Sequence, residues 1–146
     1  MESIISENKA DLVAIGRGIL ADPFLPQKAK SGNDDITPCI RCNYCVSNNF
    51  VPYVKYATKV MRCSVNPLIG RELDIRTIPE PKEKKKILIA GGGPAGMEAA
   101  ITAADRGHEV TLCEKRGALG GSLCFAVHPD FKKDLKQFKE VLVKRV

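Results

Sequence analysis

"ILIAGGGPAG", residues 87–96, joins a short apolar run to an alanine-rich one through three glycines and a proline. The run before it, "KKILIA" (85–90), has the length and composition of a buried strand. The run after it, "PAGMEAAITAADRG", reads as a helix opened by Pro94 and closed by Gly107. "HEVTLCE" (108–114) follows as a second strand. Strand, helix and strand of these lengths make one βαβ unit, and such a unit implies a parallel sheet. The fold class expected from this is α/β.

The glycines have a spacing of their own, Gly91-x-Gly93-x-x-Gly96. In a strand–turn–helix context the first permits a tight turn and the second lets a pyrophosphate approach the backbone. The third lets the helix pack closely on the strand. The helix N-terminus then presents free N–H groups and the positive end of its dipole to the phosphates. Glu114, about twenty residues on, is placed to accept hydrogen bonds from a ribose hydroxyl, and an acid there disfavours a 2′-phosphate. The plainer alternative is a glycine-rich turn that binds nothing.

The unit has no third strand. A loop, "KRGALGGSLCFAVHPD", leads to a terminal helix over 131–146, in which Phe131, Leu135, Phe138, Leu142 and Val143 recur at helical spacing between lysines. At the other end, residues 2–8 resemble the end of a helix, and "DLVAIG" (11–16) a short apolar strand. "RGILADPFLPQKAK" continues as a turn and a short helix. A lone strand and a two-stranded sheet both leave apolar surface uncovered. The chain is therefore expected to be a fragment, cut at both ends.

"PCIRCNYC" (38–45) sets Cys39, Cys42 and Cys45 at every third position, and Cys63 follows after seventeen residues. Zinc sites usually draw their ligands from separated pairs. A triplet with a remote fourth cysteine suits a [4Fe–4S] cluster, because soft thiolates match iron in both redox states. A zinc site, a disulfide and free thiols are the competing readings. Residues 38–69 are expected to be loops with one helical turn, and the polar, proline-containing residues 70–84 a linker. Cys113 and Cys124 have no spacing partner and are expected to be buried structural thiols. His108 and His128 lack a nucleophile partner and read as structural.

The formal charge is +6, but the basic residues concentrate in "PKEKKK" (81–86) and on the terminal helix. Without interleaved aromatics this is a solvated face, so no nucleic-acid partner is expected. No apolar run approaches the ~20 residues needed to span a membrane. The mixed, acidic N-terminus is not a signal peptide. A cytoplasmic location is expected, where clustered cysteines bind metal or do redox chemistry.

The order "AIGRGILADP", cysteine triplet, distant cysteine, "NPLIGRE", then "IAGGGPAGMEAA…GHEVTLCEKRGALGG" closely resembles one family. It is similar to the iron–sulfur NADH:flavin oxidoreductases of the old yellow enzyme class. These include dienoyl-CoA, 2-enoate and bile-acid enoate reductases and trimethylamine dehydrogenase. The resemblance implies that residues 1–37 end an FMN-binding TIM barrel, with Gly16, Arg17 and Gly18 at the FMN phosphate. It implies a [4Fe–4S] segment over 38–69 with Cys39, Cys42, Cys45 and Cys63 as ligands. Residues 85–146 would begin a Rossmann-like FAD/NAD(P)-binding domain. There Gly91, Gly93, Pro94, Ala95, Gly96 and Glu114 would hold FAD, and Gly120, Gly121 and Ser122 would form a second loop closing over it.

The implied activity passes electrons from NAD(P)H through FAD, cluster and FMN to an activated C=C bond of an enoate, enoyl-CoA or enone. An amine-dehydrogenase-like member would run them outward from substrate, and a non-catalytic electron-transfer module is the alternative of another class. No catalytic side chain of the bond chemistry falls within these 146 residues. The fragment alone is expected to be inactive, and a homo-oligomer is implied for the full-length protein.

Overall fold

The computed structural model describes residues 2–47, 61–73 and 79–146. The middle of the expected cluster segment, 48–60, and residues 74–78 of the expected linker lie outside the described residues.

The βαβ unit is present. Strand β1 (Lys86–Ala90) leads through the glycine turn into a long helix, Pro94–Asp105, and strand β2 (Glu109–Cys113) returns parallel to β1. The register runs from Lys86 opposite Glu109 to Ala90 opposite Cys113. Helix closure at Gly107 is as expected, with the N–H groups of Gly107 and His108 bonded to the carbonyls of Ala104 and Ala103. His108 has a structural part: its Nδ1 accepts the Lys85 N–H at 3.3 Å, at the foot of β1.

Both strands alternate between half-buried and exposed residues. Ile87, Ile89, Val110 and Leu112 face the helix, while Leu88 on the other face is 72% exposed. The same alternation corrects one expectation. Cys113 shares its face with Glu109 and Thr111 and is exposed rather than buried.

Among the described residues, the short helices α1 to α4 precede this unit, at Glu2–Ser6, Arg17–Ala21, Leu25–Lys30 and Tyr44–Ser47. The Pro94–Asp105 helix is α5. After the unit come α6 (Leu123–Ala126), a 3₁₀ turn (Asp130–Lys132) and α7 (Lys133–Arg145). Residues 11–16, expected as a strand, join no sheet among the described residues, and Leu12 is 87% exposed. A strand exists only through its ladder, and β1 and β2 pair with each other. The terminal helix also starts later than expected. Phe131 falls in the 3₁₀ turn and is 79% exposed, so Phe138, Val141 and Leu142 form the buried face.

One buried cluster draws together distant parts of the chain: Ala21 of α2, Val65, Met97 of α5, and Phe138 and Leu142 of α7. Met97 is fully buried. Polar ties fix the front segment to this core. The buried carboxylate of Asp22 accepts from Lys28 Nζ (2.8 Å), the Thr37 N–H (3.0 Å) and the Phe24 N–H (3.0 Å). Asn66 donates to the Leu20 carbonyl at 2.8 Å. At the far end of the chain, Lys144 and Arg145 pair with Asp34 and Asp35. No helix among the described residues is long and apolar enough to cross a membrane.

Candidate functional site: a glycine loop beside a cysteine segment

The glycine loop is a pair of turns locked together. A Cβ on Gly96 would stand 1.9 Å from the Gly91 carbonyl oxygen, so only glycine lets α5 close on the end of β1. The second loop lies directly against the first. The Gly120 N–H donates to the Gly92 carbonyl at 2.7 Å, and a Cβ on Gly121 would meet the Gly93 Cα at 2.8 Å. Gly93 caps α5, and Met97 is the residue whose N–H bonds back to it, at 2.9 Å. The N–H groups of Ala95 and Gly96 precede that bond and have no partner within the helix, while Pro94 has none to satisfy. Ser122 is exposed at the start of α6 and makes no side-chain capping bond there.

Glu114, expected as a ribose acceptor, follows directly on β2, where two backbone N–H groups hold it. Its Oε1 accepts the Arg116 N–H at 2.8 Å and its Oε2 the Gly92 N–H at 2.7 Å. The Arg116 and Gly92 N–H groups favour the ionised form and set its carboxyl below the usual carboxylate range. Each carboxylate oxygen keeps a second lone pair. The group therefore stays a fixed, charged acceptor for further hydroxyls. Gly92, the middle glycine, thus has a part that the fingerprint spacing does not reveal.

The cysteine segment lies next to this loop. Cys39 and Cys63, both half-buried, pack against the central cluster, and Cys45 is buried in α4. Cys42 is exposed, and its Sγ lies 3.3 Å from the Ser64 hydroxyl, beside Cys63. Burial raises the Cys42 thiol, but the Ser64 hydroxyl and neighbouring backbone groups outweigh it and bring the thiol below its ordinary range. Arg41 and Asn43, on either side of Cys42, both take left-handed backbone at φ 54° and 57°. The Asn43 carbonyl then accepts the N–H groups of Val46 and Ser47, which starts α4.

None of the six cysteines forms a disulfide. Cys124 lies in α6 rather than in a loop, half-buried, with its thiol donating to the Leu119 carbonyl at 3.3 Å. Among the described residues no group of three or more His, Cys, Asp or Glu is gathered closely enough to hold a metal ion. One zinc at about 2.3 Å from each sulfur would draw its thiolates to within about 4 Å of one another. A cubane spreads them further, since each thiolate caps a different iron. Cys39, Cys42 and Cys45 come from one segment and Cys63 from another, and the Cys42–Ser64 contact joins the two.

Gly16, Arg17 and Gly18 lie at the start of α2. The structure does not bring them to the glycine loop: the Arg17 guanidinium donates to Asn43 Oδ1, beside the triplet. Between the cysteine segment and the loop is a cavity of about 220 Å³ lined by Cys63, Ser64, Pro94, Ala95, Glu98 and Phe138, among others. A larger groove of about 730 Å³, with Asp22, Asn66, Glu98 and Arg145 on its walls, shares Glu98 with it.

Residues 86–145, from the start of β1 to the end of α7, match the family of FAD dependent oxidoreductases. Beyond that match, the chain is similar along most of its length to oxidoreductases and reductases. It is 46% identical over 97% of its length to an NADH oxidase of Thermoanaerobacter brockii, covering 21% of that protein. It is 43% identical over 89% of its length to a cinnamate reductase of Clostridium sporogenes, covering 19%. The solved structure of a 2-naphthoyl-CoA reductase superposes on 99% of the chain with a TM-score of 0.84 at 33% identity, over 21% of that enzyme. The chain thus spans about a fifth of the length of the relatives it matches.

Proposed function

We propose that this chain is the electron-relay segment of an NAD(P)H-dependent iron–sulfur flavoprotein that reduces activated C=C bonds. One observation carries the reading. Cys39 and Cys63 pack on the same buried cluster as Met97, in the first turn of the glycine-loop helix, so thiols and dinucleotide loop share one core. The names of the relatives, an NADH oxidase and a cinnamate reductase, agree with it.

In this reading the Gly91–Gly96 turn and the α5 N-terminus bind the pyrophosphate of FAD, and Glu114 holds its ribose. Gly120, Gly121 and Ser122 close the second side. Cys39, Cys42, Cys45 and Cys63 hold a [4Fe–4S] cluster, and Gly16, Arg17 and Gly18 meet the phosphate of FMN. When bound, these groups supply the hydride and single-electron chemistry between NAD(P)H and an enoate, enoyl-CoA or enone. The chain's own work is to space the groups, fix their orientation and keep water from the thiols on the core side. The bond-making residues of the reaction belong elsewhere in such an enzyme.

Anaerobic reconstitution with iron and sulfide, followed by metal and sulfide analysis and an absorbance spectrum, tests this. Equal iron and sulfide with a broad brown absorbance is expected, together with stoichiometric FAD binding. Zinc without sulfide would overturn it. With NADH and added FMN these 146 residues should show no alkene reduction; measurable turnover would count against a relay segment.

A further inference from the structure

The Ser64 hydroxyl has a role that follows from its place. Its contact with Cys42 Sγ, at 3.3 Å, spans 22 residues and joins the triplet loop to the segment that carries Cys63. Ser64 also lines the cavity of about 220 Å³ shared with Pro94 and Ala95 at the start of α5. It therefore stands between the thiols and the dinucleotide loop.

Resting on the cluster reading above, we infer that Ser64 is a positioning residue that donates a hydrogen bond to Cys42 and raises the reduction potential of the cluster. A free thiol could act as donor or acceptor in this pair. A metal-bound thiolate can only accept, so the hydroxyl must donate. A hydrogen bond to a ligating sulfur draws negative charge off it and favours the state with the extra electron. Cys42 is exposed, so water can replace part of a lost hydroxyl, which limits the effect to about tenfold in the reduction equilibrium.

The test is an EPR-monitored redox titration of the reconstituted chain as wild type and as Ser64→Ala, Ser64→Thr and Ser64→Val. Threonine and valine match in shape and differ in the hydroxyl. Wild type and Ser64→Thr should share one midpoint. Ser64→Ala and Ser64→Val should fall below it by about 59 mV, the one-electron equivalent of tenfold. Should Ser64→Ala not load, the threonine and valine pair decides. Equal midpoints in all loaded variants would overturn the role of Ser64 while leaving the cluster in place. A wild-type chain that takes up no iron and sulfide would instead remove both readings.

Discussion

Asp22 concentrates more of the fold's polar chemistry than any other side chain described above. It is 3% exposed and serves Lys28, Thr37 and Phe24 at once. Burial pushes its carboxyl upward, but the Lys28 ammonium and the Thr37 and Phe24 N–H groups outweigh this, and the net shift is downward. A depressed carboxyl contributes stability that is fully present above its unfolded value, about 3.9, and is lost as pH falls through the lower folded value. Asp22→Asn should therefore lower the urea midpoint at pH 7, by about 1–3 kcal/mol in free energy, and the gap to wild type should narrow below about pH 4. A gap unchanged at pH 2.5 would mean that the charge does not matter. Asp22 offers no sequence signal of this role, since its partners lie two, six and fifteen residues away and follow no regular spacing.

Among the elements, α7 shows most clearly how burial, not composition, assigns weight. Phe138 is 8% exposed in the central cluster, whereas Phe131, seven residues earlier and in register by spacing, is 79% exposed. Phe138→Ala should cost about 3–5 kcal/mol and Phe131→Ala less than about 0.5 kcal/mol, read from denaturant midpoints. Equal losses would contradict the packing. The spacing of apolar residues located the helix but could not show that its first turn would tighten to 3₁₀ and carry Phe131 away. β1, α5 and β2 were legible because their signals are local: strand composition, Gly91-x-Gly93-x-x-Gly96, Pro94 and Gly107. Residues 11–16 were not, because strand composition says nothing about whether a neighbour is there to pair with.

Over the whole molecule, the site is legible to different depths. The glycine loop and Glu114 are written in spacing, but the grip of Gly92 on that carboxylate, and of Ser64 on Cys42, comes from segments the fold brings together. Glu98 belongs to the same scale, since it faces both cavities from α5. Burial raises its carboxyl, more than the Arg145 charge lowers it, and Asp105 adds to the rise. A carboxyl raised in the folded state costs stability as pH climbs through the folded value, and the cost is absent when it is protonated in both states. Glu98→Gln should raise the melting temperature at pH 7 and leave it unchanged near pH 3.5. A lower melting temperature at pH 7 would instead assign the Arg145 attraction the larger effect.

The pairs Asp34–Lys144 and Asp35–Arg145 have a consequence in time as well as in space. Each joins residues 110 positions apart. At a synthesis rate of about 5–20 residues per second, the stretch ahead of the cysteine triplet waits roughly five to twenty seconds for its partners to be made. Until α7 emerges, Ala21 and Val65 also lack Phe138 and Leu142 to pack on. During that interval Cys39 and Cys63, which pack against the same cluster, stand open to solvent, and the core that covers them closes only once the last helix is made.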